Sequence, residues 1–371
     1  MIILINSVEG GFPPSVFFII TTILYIINSK GFCFMIKRVG SYTLKFSEPP
    51  VITGYGSVAG KKEAEGPLGK CFGKIIYDSR AGQDSWEKAE AKFQQEAFIQ
   101  AMTMSGKKPE DLDFIFAGDL LNQLISSSYS MRDFAIPYLG QYGACSTMAQ
   151  GLIMASMTVA GGGAREAGVV TSSHFCTAER QYRYPLEYGG VRPQTAQWTV
   201  TASGSAIVSE RGKGIEVCHA TVGKIIDLGV TDLNNMGAAM APAAADTIMT
   251  YLNDTGTSPT DYDRIYTGDL GQVGTDILHR LLFDEGIEVE GVHHDCGLMI
   301  FNRKKQDVHA GGSGCGCGAS VLCGKILGDM TKGSLKNVLF VATGALMSPT
   351  SNQQGESIPS VAHLVHLKTQ E

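Results

Sequence analysis

The residue in this sequence best placed to do chemistry is Cys145, which lies among small residues at positions 142–151. A loop containing Pro137, Gly140 and Gly143 precedes it, and an apolar run typical of a helix follows it. This order predicts a tight turn that places Cys145 at the start of a buried helix. Free backbone N–H groups and partial positive charge at a helix start favour a thiolate or a bound anion. The alternative is a small cysteine packed in the core.

A second chemical feature is a carboxylate that recurs in an internal repeat. The segment Asp111-Leu-Asp-Phe-Ile-Phe-Ala-Gly-Asp-Leu120 is matched by Asp261-Tyr-Asp-Arg-Ile-Tyr-Thr-Gly-Asp-Leu270, with identity at six of ten positions. Asp119 and Asp269 occupy the same place in the two copies, directly after a short apolar run. Side chains at strand ends are where open α/β sheets bind ligands.

The cysteine turns repeat with the same spacing. Cys145 precedes Thr171 by 26 positions, and Cys317 precedes Thr343 by the same 26. Self-similarity of this kind indicates a duplicated unit. The sequence therefore predicts two α/β halves related by a pseudo-twofold axis, with the Gly-Asp-Leu turns and the cysteine turns meeting at one central cleft.

The spacing of apolar residues around these turns predicts the helices and strands that hold them. A capping-box pattern at residues 84–87, apolar residues at helical spacing as far as Ala101, and Gly106 as a stop predict a long helix. Residues 114–117 and 168–173 predict short buried strands. This alternation is typical of an α/β protein.

Composition excludes several function classes. The chain has 371 residues, a net charge of -6 and 18% charged residues, without a tract rich in lysine or arginine, so nucleic acid is not an expected partner. Its nine cysteines show neither a zinc spacing nor a secreted disulfide framework, which favours reduced thiols in the cytoplasm. No metal and no cofactor are expected.

Residues 1–34 differ from the rest of the chain. Residues 16–27 are almost entirely apolar, but this run of about 12 residues is shorter than the ~20 that a membrane-spanning helix needs. No basic residue precedes it, as a signal peptide would require. We expect Met35 to be the natural start, with a weak membrane anchor as the alternative. The predicted halves are residues 35–210 and 211–371.

A duplicated α/β chain with a cysteine on a first-half helix turn resembles the thiolase/ketoacyl synthase superfamily. Within it, motifs spread over residues 35–371 are most similar to the family of stage V sporulation AD proteins. These motifs include Ala117-Gly-Asp-Leu-Leu-Asn-Gln123, Gly143-Ala-Cys-Ser-Thr147, Thr195-Ala-Gln-Trp-Thr-Val-Thr201, Thr267-Gly-Asp-Leu-Gly271 and Val341-Ala-Thr-Gly-Ala-Leu346. The resemblance implies a thiolase-like fold layered α-β-α-β-α.

The resemblance also implies a function. A protein of this family would bind dipicolinic acid, alone or as its calcium chelate, and support its uptake into the developing spore. It would work with membrane-embedded proteins of the same sporulation operon, as a homodimer, in the cytoplasm or peripherally associated with the spore inner membrane. Calcium would enter only as part of the ligand.

The catalytic set of thiolases and condensing enzymes is incomplete in this sequence. Their reaction needs a histidine that takes the thiol proton. The stretch Gly314-Cys-Gly-Cys-Gly-Ala-Ser320 has Cys315 where the thiolase histidine would be, and Asp269 stands in the turn where condensing enzymes carry theirs. We therefore predict that the chain is not an enzyme and has no catalytic residue. An active acyltransferase that uses Cys145, and a scaffold that binds no ligand, are the alternatives.

Dipicolinate is a planar dianion at neutral pH. A site for it needs N–H groups or cations for the carboxylates and flat walls for the ring. The predicted ligand-binding residues are Cys145, Asp269, Cys315, Asp119, His174, Arg183 and Trp198. Arg180 and Arg192 are further cations of the same middle loop, and the two aspartates could donate oxygens to calcium. Each has a structural alternative, as a turn cap, a local hydrogen bond or a surface ion pair.

The run His293-His294-Asp295 invites a metal interpretation. Adjacent histidines on a strand point to opposite faces, so we interpret this run as structural.

Overall fold

The computed structural model describes residues 35–182 and 191–370. Contacts divide the chain into Met1–Met35 and Ile36–Glu371, and the elements below belong to the second unit. Its strands are β1 Ile36–Val39, β2 Thr43–Phe46, β3 Val51–Gly60, β4 Lys74–Ile76, β5 Phe114–Gly118, β6 Tyr138–Gly140, β7 Glu166–Ser173, β8 Trp198–Thr199, β9 Ala202–Ser209, β10 Ile215–Thr221, β11 Arg264–Thr267, β12 His293–Asp295, β13 Gly312–Ser313, β14 Asn337–Ala345 and β15 Ser360–Thr369.

The helices alternate with these strands. They are α1 Lys61–Ala64, α2 Trp86–Ser105, α3 Ile125–Met131, α4 Thr147–Ala160, α5 Phe175–Tyr182, α6 Met236–Thr255, α7 Gly271–Asp284, α8 Cys296–Ile300, α9 Cys315–Val321, α10 Leu327–Thr331 and α11 Pro349–Gln353. A π-helical stretch, Leu322–Ile326, joins α9 to α10. The long helix expected after residue 84 is α2: the Ser85 side chain caps its start and Gly106, in a left-handed conformation, ends it.

The main sheet consists of two halves, and their strands come in equivalent orders when each half is followed from its outer edge to the middle of the sheet. One half is β6-β5-β7-β9-β3 and the other is β12-β11-β14-β15-β10. In both halves the first two pairings are parallel and the next two are antiparallel. The halves join where β3 pairs with β10, through Ile215 opposite Ile52. The boundary predicted at residue 210 falls between β9 and β10.

Helices form three layers around the two half-sheets. α2 packs on one face of β3, β7 and β9, and α6 packs on β14 and β15 in the other half. α4 lies between the halves, because it contacts β5, β7 and β9 as well as β14 and β15, and α9 packs beside it on β7 and β9. The predicted α-β-α-β-α layering of a thiolase-like fold is confirmed.

The repeated aspartates explain why the two halves fold alike. Asp113 accepts the backbone N–H of Glu166 at the start of β7, at 3.2 Å. Asp263 accepts the backbone N–H of Asn337 at the start of β14, at 3.0 Å. Each carboxylate thus fixes the neighbouring parallel strand at its first residue. The identical positions of the repeat therefore include structural residues as well as the candidate site.

The sequence from residue 217 to residue 227 has the pattern of a strand, but the strand in the structure is shorter. β10 ends at Thr221, and Ile225 and Leu228 beyond it are exposed. In the described part of the chain, we find no helix that is both long enough and apolar enough to cross a membrane.

Candidate functional site

Cys145 lies in a one-turn helix, Ala144–Ser146, that continues directly into α4. Ala144 has a left-handed backbone with φ +50°, a conformation that costs a residue other than glycine about 1–2 kcal/mol. The Thr147 hydroxyl closes the turn by donating to the Ala144 carbonyl at 2.6 Å. Cys145 is buried at the head of the central helix, so the predicted tight turn is confirmed.

Asp269 is the partner of Cys145. It follows β11 and is buried, and the Cys145 thiol lies close enough to its carboxylate for each group to shift the pKa of the other, with the thiol as a weak donor. The backbone N–H of Gly314 donates to the same carboxylate at 2.8 Å, the Thr343 hydroxyl at 3.0 Å and the Ser313 hydroxyl at 3.2 Å. The carboxylate therefore joins three segments of the second half to the cysteine turn of the first half.

Cys315 completes this group from the start of α9. Its thiol is fully buried and donates to the Ser172 carbonyl at the end of β7, at 2.8 Å. It lies near enough to Cys145 to contribute to the raised pKa of the Cys145 thiol. Three of the seven predicted residues, Cys145, Asp269 and Cys315, are thus brought together where the two halves meet.

Burial decides the protonation of this group. Burial raises the pKa of Asp269, although its four donors oppose the shift. Burial, and next the charge of Asp269, raise the pKa of the Cys145 thiol well above its ordinary value. These effects outweigh the helix start, which would favour a thiolate. Cys145 is therefore a protonated thiol at neutral pH.

The histidine that would serve as a base is absent from this group. All eight histidines of the chain lie in the described ranges. Each makes its contact elsewhere: His174 with Ser79, His219 with His366, His279 with His293, His294 with Tyr266, His309 with Pro193, and His363 with Gly223. Among residues 35–182 and 191–370, the charged group with the largest influence on Cys145 is an acid, Asp269, and its negative charge disfavours a thiolate.

We expect Cys145 to be alkylated slowly. At pH 7 iodoacetamide should modify it at least ~10-fold more slowly than the half-buried Cys71, because each unit of raised pKa removes nine-tenths of the reactive thiolate. Asp269→Asn should speed the reaction at Cys145 and leave Cys71 unchanged. Mass spectrometry of the labelled peptides measures both rates. Rapid labelling of Cys145 in the unmodified chain would contradict this account.

Asp119 occupies the matching place in the first half but makes different contacts. It is fully buried and accepts the backbone N–H groups of Leu121 and Ser127, at 2.8 and 2.7 Å, and the Ser127 hydroxyl at 2.6 Å. It thereby holds the start of α3. These bonds use both carboxylate oxygens, which leaves Asp119 few free lone pairs for a calcium ion.

Glu90 is a buried acid that sequence reasoning missed. It lies on α2 and accepts hydroxyl hydrogen bonds from Ser172 and Thr177, at 2.8 and 2.7 Å. Burial, and next the charge of Asp119, raise its pKa to about 8. A signal existed in the sequence, because Glu90 follows Trp86 by four residues and precedes Phe93 by three. A charged residue on the apolar stripe of a helix implies a buried polar partner.

His174 and Trp198 lie in a different place from Cys145. His174 Nε2 donates a hydrogen bond to the Ser79 carbonyl, 2.9 Å away, and the ring packs against Trp86 and Phe93. Burial lowers its pKa to about 4, so the ring is neutral at pH 7. Trp198 stacks on Phe175. Both line a second cleft. Arg183 lies outside the described residues.

The space beside Cys145 is small. A cavity of about 40 Å³ adjoins the thiol, which is room for about three water molecules. It is lined by Leu120, Ala144, Cys145, Ala178, Tyr182, Thr199, Met236, Ser313, Gly314, Ala345 and Met347. Tyr182 is the largest of these, and the two methionines, Met236 and Met347, were not predicted. A ring-sized ligand would fit here only if such side chains moved.

Metal chemistry has little support in this part of the molecule. Among residues 35–182 and 191–370, no three His, Cys, Asp or Glu side chains cluster in a way that could hold an ion. Along β12, His293 is buried and His294 exposed, as expected of neighbours on a strand. Asp295 caps α8 by accepting the Leu298 N–H at 3.1 Å and the start of α7 by accepting the Gly271 N–H at 3.0 Å.

The duplicated half-sheets, the two central helices and the cysteine turn between them define a protein with a thiolase-like fold. The sequence model for stage V sporulation protein AD matches residues 40–368. The chain therefore belongs to this family of sporulation proteins, as its motifs indicated.

Relatives and solved structures agree with this assignment. Stage V sporulation protein AD of Bacillus subtilis (strain 168) is 46% identical over 327 residues, which cover 88% of this chain and 96% of the relative. 3-Oxoacyl-[acyl-carrier-protein] synthase III from Aquifex aeolicus matches 86% of this chain and 99% of its own, with a TM-score of 0.54 and 12% identity. The corresponding synthase from Pseudomonas aeruginosa matches 87% and 99%, with a TM-score of 0.52 and 13% identity. At such identities the structures show a shared fold.

Proposed function

We propose that this chain binds dipicolinic acid, alone or as its calcium chelate, in the cleft at Cys145, and that it supports uptake of this acid into the developing spore. Membership of a sporulation family supports the biological setting. The observation that carries the proposal is the contact of Cys145 with Asp269, in a thiolase-type cleft that contains none of the eight histidines.

The same contact argues against acyl transfer as the function. A condensing enzyme needs a thiolate nucleophile and a base that accepts its proton. Here the neighbouring group is an acid whose own pKa is raised by burial, and it raises that of the thiol in turn. The structural neighbours are synthases, but their likeness to this chain extends to the fold alone. A ligand-binding cleft without the reaction accounts better for the residues present.

The cleft offers polar groups suited to a carboxylate. Thr199 and Ser313 hydroxyls line it, the start of α4 adjoins it, and the Tyr182 hydroxyl lies near Tyr142, at 3.0 Å. Backbone N–H groups and hydroxyls are donors that bind carboxylates without a cation. The Thr199 and Ser313 hydroxyls now donate to Glu179 and Asp269, so they would have to turn from these acceptors to a ligand. Since the free space is about 40 Å³, we expect binding to require movement of the lining side chains.

Calorimetric titration of the full chain with dipicolinate, with and without calcium, tests the proposal. We expect saturable binding that Cys145→Ala and Asp269→Asn each weaken at least ~10-fold, because Cys145 lines the cleft and Asp269 holds the lining residues Ser313 and Gly314 from behind. Cys71→Ala is the matched control, since Cys71 is a half-buried thiol that lines no part of this cavity.

No binding of dipicolinate by the unmodified chain would refute the proposed ligand and favour the scaffold alternative. Equal binding by all three variants would place the ligand elsewhere on the molecule. The homodimer, the membrane-embedded partners and the association with the spore inner membrane stay predictions, drawn from the family resemblance.

A further inference from the structure

A second cleft, which we call the aromatic cleft, opens beside α1, β8 and the start of α5. It measures about 350 Å³ and is lined by the rings of Tyr77, His174, Phe175 and Trp198, with Lys61 and Lys62 beside them. Among the described residues, it shares no lining residue with the Cys145 cavity. A pocket of this size with flat apolar walls and a few charged groups is typical of a small-molecule site.

Trp198 is the centre of the aromatic cleft. Its ring stacks on Phe175, with the centroids 4.0 Å apart and the planes at 14°. Lys62 Nζ lies 3.8 Å from the centroid of the same ring, and the Arg192 guanidinium lies 4.7 Å from it. Because Phe175 covers one face, the two cations share the other. A flat ring thus holds two positive charges next to each other.

These two cations are only partly neutralised. Burial lowers the pKa of Lys62, and Arg192 lowers it further against the opposing influence of Asp307. Asp307 pairs with Arg192 at 2.7 Å, but its side chain is 70% exposed, so solvent screens this charge. Glu63 is buried nearby, and burial raises its pKa to about 7, which removes about half of its negative charge at neutral pH. Glu65 also lines the cleft and acts on Lys62 more weakly than Asp307 does.

Arg192 also has a donor without an acceptor. Its Nη2 donates to the Asp307 carbonyl at 3.0 Å, whereas its Nη1 is buried and has no hydrogen-bond partner among the residues that the structure describes. A buried guanidinium nitrogen without a partner costs free energy. The missing acceptor would have to be an anion or a carbonyl, and a carboxylate matches the planar fork of arginine.

We propose that Lys62, Arg192 and Trp198 form a second binding site, which takes the carboxylate of a planar aromatic acid. Arg192 is not among the residues that line the cleft, so its guanidinium must turn to bring the buried Nη1 to a ligand carboxylate that also accepts from Lys62 Nζ. The ring of the ligand lies against the aromatic wall, and Lys61 lines the same cleft. The inference rests on the proposed function only in naming dipicolinate as the physiological ligand. The site itself is defined by its own residues.

Tryptophan fluorescence tests this site directly. The chain has two tryptophans, so Trp86→Phe leaves Trp198 as the only one, and movement of Lys62 and Arg192 from its ring towards a bound carboxylate changes its emission. The probes are dipicolinate and isophthalate, which has the same two carboxylates without the ring nitrogen. We expect saturable changes with both probes, weakened ~10-fold or more by Lys62→Gln and by Arg192→Gln. Arg132→Gln is the matched control, because Arg132 lies over the Tyr129 ring on a different surface.

The outcomes separate this inference from the proposed function. If neither probe changes the Trp198 signal, or if Lys62→Gln and Arg192→Gln bind as well as the unmodified chain does, the second site is refuted. Dipicolinate binding that is lost in Asp269→Asn but kept in both cation variants would refute it and leave the proposed function standing. Isophthalate binding that depends on Lys62 and Arg192, in a chain to which dipicolinate does not bind, would support this site and refute the proposed ligand. Equal circular dichroism spectra and melting temperatures show that the variants are folded.

Discussion

The variant Gly316→Ala is expected to lower the free energy of unfolding by about 3 kcal/mol or more. Gly316 is the second residue of α9, one position after Cys315. A methyl group there would lie 2.3 Å from the Ala202 carbonyl oxygen and 2.7 Å from the backbone nitrogen of Ser173. Both atoms belong to strands in the middle of the sheet, so neither can move aside. The helix would have to shift, and Cys315 would lose its hydrogen bond to Ser172.

The control for this variant is Gly328→Ala on α10, where no heavy atom lies within 4 Å of the added methyl group. Alanine is the better helix former by about 1 kcal/mol, so this variant should be as stable as the unmodified chain or slightly more stable. Urea unfolding followed by circular dichroism measures both. Equal midpoints for the two variants would contradict the close packing of α9 on the sheet.

Local sequence patterns and the internal repeat were enough to predict that the turns of Cys145 and Asp269 meet. Cys145 follows a turn rich in small residues, and Asp269 repeats the position of Asp119 in the other half. Duplication brings matching strand ends to one place, so the meeting of the two turns followed from the repeat. The strand order confirms this symmetry.

Interior acids were harder to predict, because their partners are distant in the chain. Glu90 accepts from Ser172 and Thr177, which lie 82 and 87 positions away. No periodic pattern reports such a contact. Asp295 was interpreted as structural, but its capping of two helices depends on β12 lying beside β11, which only the tertiary structure shows.

The grouping of His174 and Trp198 with the cysteine cleft shows a different limit. Their residue types suit a planar dianion, and the sequence gives no distance between them and Cys145. In the structure, β8 and the start of α5 direct them to the aromatic cleft, where Lys62 joins them from α1. Lys62 was not predicted, since a lysine in a glycine-rich loop is usually a solvated surface residue.

Glu90→Gln is expected to make the protein more stable than the unmodified chain at pH 8.5, by several kcal/mol and by about 5 kcal/mol at most. The pKa of Glu90 is raised from 4.5 to about 8. Between these values the folded chain retains a proton that the unfolded chain releases, so this contribution to stability is complete below pH 4.5 and is lost as the pH rises towards 8. Glutamine has the shape of the protonated acid and cannot ionise, so its contribution does not change with pH.

The comparison of the two proteins at several pH values isolates this effect. Glu63 and Asp295 have pKa values raised to about 7 by burial, so both proteins lose stability as the pH rises, but the unmodified chain should lose more. Glu96→Gln on the same helix is the matched control, because the hydrogen bond from Lys74 lowers the pKa of Glu96 and it stays ionised throughout. Urea unfolding at pH 5.5, 7 and 8.5 should therefore give diverging free energies for Glu90→Gln and parallel ones for Glu96→Gln. Parallel curves for Glu90→Gln would mean that Glu90 is ionised in the folded protein, with a charge compensated inside the first half of the fold.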